Sequence, residues 1–422
     1  MRRFGHTRWV WCGAPSPSRH TGEVTASAPE HLDAPILRDF GGGRFGIYVH
    51  VPFCATRCGY CDFNTYTAGE LGSSASPQSW LEALRAEMFS AAQIFDALPS
   101  RQPPVSTIFV GGGTPSLLGG AGLADVLDAV RANFTLAADV EVTTESNPES
   151  TSPAFFADIR AAGYTRVSLG MQSVATHVLR VLDRTHTPGR PVAAAREARE
   201  AGFEHVNLDL IYGTPGESDA DLDAGLDAVL AAGVDHVSAY SLIVEDGTAL
   251  ARKVRRGELP APDEDVLAAR YERIDARLAG AGLRWYEVSN WAANDSARCR
   301  HNLGYWNGGD WLGAGPGAHS HVGGVRWWNV KHPGRYAERV AVGGALPVAG
   351  WEALTDSDRY LERIMLGVRL SSGLPLAELA ASGRTAATRV VSDGLAVIRD
   401  DRLVLTDRGR LLADGVVRDL LG

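Results

Sequence analysis

Three of the chain's five cysteines fall within eight residues, in the run Tyr48-Val-His-Val-Pro-Phe-Cys54-Ala-Thr-Arg-Cys58-Gly-Tyr-Cys61. Thiolates at CxxxCxxC spacing in one loop can converge on a point, which suits ligation of an iron–sulfur cluster. Three ligands for a four-iron cluster leave one iron open, the condition a catalytic metal needs. Two other chemistries use clustered cysteines. A disulfide would pair two and strand the third, and so odd and so tight a cluster fits it poorly. A zinc site would need a fourth ligand, and His50 on the preceding apolar run could supply it.

Further polar and glycine-rich positions recur downstream. Gly111-Gly112-Gly113-Thr114-Pro115-Ser116 would let backbone approach a polar ligand, although a tight turn uses the same residues. Glu145, Gln172 and Asp209 each close an apolar run. Singly each could be a cap or strand-end residue. Together they would form a ring suited to a ligand rich in amines and hydroxyls.

The elements that must position these groups alternate. Strand-like runs at Phe45–Val51, Ser106–Val110, Val140–Glu145, Arg166–Met171, His205–Ile211 and His236–Leu242 are separated by helix-like, Ala- and Leu-rich segments. Trp80–Leu98, Leu123–Asn133 and Asp221–Ala232 are examples. Six β units spaced by helices predict a parallel sheet with right-handed crossovers. Six are fewer than the eight of a closed barrel, so the expected fold is α/β, an open (β/α)6 partial barrel. In such folds chemistry gathers at the C-terminal strand ends, where the cysteine loop, Glu145, Gln172 and Asp209 all fall.

With an aromatic before its last cysteine, the CxxxCxxC motif resembles the radical S-adenosylmethionine (SAM) superfamily, whose open iron chelates the amino and carboxylate groups of SAM. From Tyr48 to about Ala292 the motifs are similar to one branch of it, which contains oxygen-independent coproporphyrinogen III oxidase and its heme-chaperone relatives. These motifs are YxHxPFC, GGGTP, Glu145-Ser-Asn-Pro, Gly170-Met-Gln172, the downstream Arg184 and Asp209-Leu-Ile-Tyr-Gly. The resemblance implies a [4Fe–4S] cluster on Cys54, Cys58 and Cys61. It implies SAM contacts from Tyr48, Tyr60, Gly112, Gly113, Thr114, Glu145, Gln172, Arg184 and Asp209. Glu145 and Asp209 would accept hydrogen bonds from the SAM amine or ribose, and Arg184 would pair with its carboxylate.

The same resemblance separates two readings. The oxidase carries a further cysteine two residues past the third; here that position is Phe63, in Cys61-Asp-Phe-Asn64, as in the chaperone branch. His301-Asn302-Leu303-Gly304-Tyr305-Trp306 matches the HNxxYW motif associated there with heme binding. A neutral imidazole is a natural axial ligand, and two aromatics can pack on a porphyrin. His301 is therefore the first candidate for heme iron, ahead of His319 in the glycine-rich Trp311–Ser320 loop, with Cys299 behind them. A capping or core histidine beside aromatics is the plain alternative. The expected function is a heme chaperone that passes heme to acceptor hemoproteins; the runner-up is the oxidase of porphyrin biosynthesis.

Composition bounds the remainder. The chain has 422 residues, 45% hydrophobic and 22% charged, with formal net charge −9, which argues against a primary role on nucleic acid or anionic membrane. No apolar run approaches the roughly 20 residues that cross a bilayer, so a cytoplasmic protein is expected. Residues 1–44 read as a disordered extension with Cys12 a bystander, 45–292 as the core and 293–355 as the heme-motif segment. Residues 356–422 read as a winged-helix-like domain whose arginines (Arg399, Arg402, Arg408, Arg410) are interleaved with acids, which weakens any DNA reading. A homodimer is left open.

Overall fold

The structure, a computed structural model, describes residues 43–422 apart from 101 and 342–344. The expected N-terminal extension, with Cys12, thus falls outside the described residues except at its last two positions. Six strands alternate with helices: β1 (Phe45–Val51), β2 (Val105–Gly112), β3 (Leu136–Ser146), β4 (Arg166–Gln172), β5 (His205–Tyr212) and β6 (His236–Ser241). Then follow β7 (Arg284–Glu287), β8 (Asn290–Ala292), β9 (Asp310–Ala314), β10 (His319–Val322), β11 (Val325–Asn329) and β12 (Val348–Ala353). Three short strands close the list: β13 (Leu374–Pro375), β14 (Ala396–Arg399) and β15 (Arg402–Leu405).

The chain divides into two compact units. The first takes residues up to Ala55, Phe63–Thr143 and Arg300–Leu354. Its strands run β12-β11-β10-β9-β1-β2-β3, with β1 parallel to both β2 and β9. β1 is buried along its whole length, as a strand covered on both faces must be, and Pro52 lacks the N–H to extend it. The Pro77–Asp96 helix starts where the Ser76 hydroxyl accepts from Ser79 N, with Pro77 at the first helical position. It buries Trp80, Leu84, Met88 and Phe95 against this sheet.

The second unit takes Thr56–Asp62, Thr144–Cys299 and Thr355–Gly422. Its strands run β4-β5-β6-β8-β7; β4, β5 and β6 are parallel, and β8 turns antiparallel to β6. Neither order returns to its first strand, so the sheet is open, as the count of six β units predicts. The Asp219–Ala232 helix is bounded by a Ser218 capping box and a left-handed Gly233. The C-terminal segment packs Ile364, Val368, Leu403 and Val416 into a core of its own beside the sheet β13-β15-β14.

Element bounds depart from the expected ones in one systematic way. β2 outruns its apolar stretch, because Gly111 and Gly112 stay paired with His50 and Val51 although they lack side chains. The chain ends in two short helices, Asp407–Leu411 and Ala413–Leu421, with Leu412 leaving helical geometry between them.

Candidate functional site

In the first unit β1 delivers Cys54, and the GGGTP turn after β2 is laced to the same loop. Gly113 N donates to Val51 O at 2.7 Å and Thr114 N to Phe53 O at 2.7 Å. Gly112 holds φ +107°, and a Cβ on Gly113 would meet Phe53 O at 2.5 Å, so side chains are excluded from the turn. The Thr114 hydroxyl donates to Cys54 Sγ at 3.7 Å. The turn and the thiol are therefore placed by one set of bonds.

His50, the zinc reading's fourth ligand, is occupied: Nδ1 lies 3.0 Å from Tyr48 Oη and Nε2 3.0 Å from Asn64 O. Burial pulls its pKa down to about 4, so the ring is neutral. Among the described residues no three His, Cys, Asp or Glu side chains stand ready for a single metal ion. Asn64 donates to Pro316 O at 2.9 Å and Lys331 O at 2.8 Å, which ties the Cys61-Asp-Phe-Asn run to the glycine-rich loop.

The second unit gathers Cys58, Tyr60, Cys61, Gln172, Arg184 and Asp209. Arg184 donates from Nη1 to Cys58 Sγ at 3.6 Å and from Nη2 to Gly170 O at 3.3 Å. Burial raises the Tyr60 phenol, opposed by Arg184 and reinforced by Cys58, Cys61 and Asp209. Asp209 accepts from Ser168 Oγ at 2.9 Å and Asn207 Nδ2 at 2.7 Å. Desolvation still pushes its pKa up, with those donors and Arg184 pulling the other way. Gln172 is buried with φ +60° at the end of β4, the left-handed region for a residue with a side chain. Glu145 is half-buried at the end of β3, where its charge acts on the half-buried Tyr240.

His186 joins this group without having been singled out by motif. Its Nε2 accepts from Arg184 Nε at 3.0 Å and lies 3.1 Å from Gln172 Oε1. Burial and Arg184 lower its pKa to about 4. The signal in sequence was its position two residues past Arg184, in Arg-Thr-His.

HNxxYW lies elsewhere. Its helix, Arg300–Trp306, is capped by Glu141, which accepts from Arg300 N at 3.1 Å and His301 N at 3.0 Å. His301 is 3% exposed, and both ring nitrogens are engaged: Nδ1 with Thr107 Oγ1 and Nε2 with Tyr305 Oη, each at 2.8 Å. The ring stacks on Phe109 at 5.2 Å, and burial lowers its pKa to about 3. Gly46 leaves the space: a Cβ there would meet Thr107 Oγ1 at 2.8 Å. Tyr305 and Trp306 are core residues, not the open platform that the motif implied. Beside them is a cavity of about 300 Å³ lined by Arg44, Thr107, Arg300, His301, Tyr305 and Trp311. That is the lower limit of cavities that bury a drug-sized ligand.

His319 opens β10, half-buried, stacked on Trp328 at 5.9 Å, and lowered to about 4 chiefly by burial. Behind its loop stands Glu87, a buried acid on the Pro77–Asp96 helix. Its carboxylate accepts from Gly315 N at 2.8 Å, Asn329 Nδ2 at 2.6 Å and Tyr336 Oη at 2.6 Å. Even so, desolvation raises its pKa to about 7. A lone acid on the apolar face of an amphipathic helix was the overlooked signal.

Cysteine sulfurs are the donors a four-iron cluster takes: Cys54, Cys58 and Cys61 are each half-buried and outside any disulfide, and Cys54 Sγ accepts from Thr114 Oγ1 and Cys58 Sγ from Arg184 Nη1. In the second unit the acceptors and donors of Asp209, Gln172 and Arg184 suit the amine, hydroxyl and carboxylate groups of a zwitterion such as SAM. Heme fits less directly, since His301 has no nitrogen free.

The Radical SAM superfamily profile matches residues 48–229, and the HemN C-terminal domain profile matches 354–412. "Heme chaperone HemW" of Mycobacterium tuberculosis (strain H37Rv) is 64% identical over 399 residues, 94% of this chain and all of that protein. "Heme chaperone HemW" of Bacillus subtilis is 31% identical, covering 89% of this chain and 98% of that one. "Radical S-adenosyl methionine domain-containing protein 1, mitochondrial" of Bos taurus is 38% identical over 86% of this chain and 74% of that one. Among solved structures, coproporphyrinogen III oxidase (HemN) from Escherichia coli, titled a radical SAM enzyme, superposes with TM-score 0.76 at 25% identity, covering 89% and 90% of the two chains. The fold is that of the radical SAM α/β partial barrel with a HemN-type C-terminal domain.

Proposed function

Because this chain belongs to the HemW family of the radical SAM superfamily, we propose that it binds heme and transfers it to acceptor hemoproteins in the cytoplasm. In this reading Cys54, Cys58 and Cys61 hold a [4Fe–4S] cluster. Tyr48, Tyr60, Gly112, Gly113, Thr114, Glu145, Gln172, Arg184 and Asp209 line the SAM site. When bound, the cluster supplies an iron position for SAM. The chain's own work there is electrostatic: Arg184 offers a guanidinium to a carboxylate, and Asp209 and Glu145 offer acceptors to amine or hydroxyl groups.

The observation that carries the heme arm is the cavity at the HNxxYW helix, where His301 meets two arginines suited to propionates. Iron ligation by His301 Nε2 requires the Tyr305 hydroxyl to leave, a local rearrangement on cargo binding. His319 is the second imidazole to test. Anaerobically purified protein titrated with heme should develop a saturable Soret band, and His301→Ala should shift or weaken it more than His319→Ala does. Heme uptake no better than that of an unrelated protein removes the chaperone reading. The oxidase reading keeps one support, the structural likeness to HemN; against it stands Phe63 where that enzyme's pattern has cysteine.

A further inference from the structure

We propose that His186, anchored by Glu149, is a positioning residue that fixes Arg184 on the cluster ligand Cys58 and beside the SAM site. The inference rests on the reading that Cys54, Cys58 and Cys61 carry a [4Fe–4S] cluster. Arg184 is held from three directions: Nη1 on Cys58 Sγ at 3.6 Å, Nη2 on Gly170 O at 3.3 Å and Nε on His186 Nε2 at 3.0 Å. The third bond fixes the Nε end of a long, flexible side chain whose two Nη groups reach the sulfur and the carbonyl.

The tautomer of His186 follows from its partner. Arginine only donates, so Nε2 must present its lone pair and Nδ1 must carry the proton. Gln172 Oε1 lies 3.1 Å from the same nitrogen. Nδ1 is buried, has no hydrogen-bond partner, and faces Glu149 Oε1 at 3.7 Å. Glu149 is itself tied down by Thr187 N at 2.8 Å and Thr187 Oγ1 at 3.0 Å. The line Glu149–His186–Arg184–Cys58 therefore runs from a half-exposed carboxylate to a thiol. Space is closed around it: a Cβ on Gly170 would meet Arg184 Nη2 and Gln172 Nε2, each at 2.9 Å.

The consequence is electronic as well as steric. A hydrogen bond and positive charge at a ligand sulfur favour the more negative, reduced cluster and raise its potential. Loosening Arg184 should lower that potential, and it should weaken SAM binding because the same guanidinium serves both sites.

The test uses the full chain, anaerobically reconstituted, as wild type, His186→Ala, His186→Gln and Glu149→Ala. Iron and sulfide are quantified, the midpoint is read by potentiometric titration with EPR detection, and SAM affinity by equilibrium dialysis. His186→Ala should keep its iron, lower the midpoint by about 59 mV, a tenfold change in a one-electron equilibrium, and bind SAM several-fold more weakly. His186→Gln, whose Oε1 can accept from Arg184 Nε, should restore most of both; Glu149→Ala should shift both in the same direction by less. A fully loaded His186→Ala with wild-type midpoint and SAM affinity overturns the proposal. If that variant does not fold, Glu149→Ala decides, and wild-type values there overturn it equally. A wild-type chain that takes up no cluster fails one step earlier, at the radical SAM site itself.

Discussion

Phe63 is the residue on which chaperone and oxidase part. The chemistry of that position is simple: a phenyl ring is no ligand, whereas a cysteine would be. With SAM and a reductant present, the protein should not convert coproporphyrinogen III to protoporphyrinogen IX, and robust turnover would move the assignment to the enzyme. The three cysteines carry the complementary prediction. Each has a thiol half-buried in its loop, and in the proposed cluster each would serve a different iron, so no ligand would be redundant. Cys54→Ala, Cys58→Ala and Cys61→Ala should each abolish the reconstituted [4Fe–4S] absorbance; stoichiometric zinc without iron or sulfide in the wild type would sink the cluster.

The Pro77–Asp96 helix presents Glu87 to three donors: the Gly315 amide, Asn329 and Tyr336. Removing the carboxyl in Glu87→Ala strands those donors and should cost about 2–4 kcal/mol. The sign with pH follows from its folded pKa of about 7, raised from an ordinary value of 4.5. A raised acid contributes stability that is fully present below pH 4.5 and is lost as pH rises to about 7, at up to about 1.4 kcal/mol per pH unit. Glu87→Gln should flatten that loss, measurable as urea midpoints at pH 5 and pH 7.5; an identical slope in both proteins would show that Glu87 ionises freely in the fold. At the C-terminal segment, three of the arginines that resembled a phosphate-binding patch are committed. Arg402 donates to Ser372 O and Gly373 O, Arg408 to Asp393 O, and Arg410 to Asp275 at 2.7 Å while lying over Trp285 at 4.7 Å.

At the scale of the molecule, β1 holds the two candidate sites of the first unit at its opposite ends. Cys54 follows its C-terminal end, while His301 packs beside Gly46 near its start. Five strand rises from Gly46 to Val51 span about 17 Å. His301→Ala should therefore leave cluster absorbance unchanged while perturbing heme, and should cost about 2–4 kcal/mol for two broken buried hydrogen bonds. Loss of the cluster in a folded His301→Ala would contradict this separation. Acid stability is also a collective property. Burial holds His50, His186, His301 and His319 at folded pKa values of about 3 to 4, below the ordinary 6.5. A depressed histidine contributes stability that is complete above pH 6.5 and is lost as pH falls toward its folded pKa. Four such groups outweigh the opposite slope of Glu87, so the urea midpoint should climb from pH 4.5 to 6.5. A flat or falling profile would show that these rings protonate in place.

The sequence by itself determined the six-unit alternation, the open sheet and the family. Each of these rests on local spacing: CxxxCxxC within one loop, apolar runs of strand length, and the glycine turn at Gly111–Gly113. It also placed Glu145, Gln172 and Asp209 toward the same end of successive strands, because strand direction fixes which end a following residue occupies. What it did not determine was which polar side chains are free. His50 and His301 read as ligands by type, and only the tertiary structure decided that Tyr48 with Asn64, and Thr107 with Tyr305, hold their nitrogens. His186 and Glu87 were invisible for the converse reason: their partners lie on other elements, and hydrogen-bond satisfaction in a buried site is set by packing across the chain, which no run of neighbouring residues encodes.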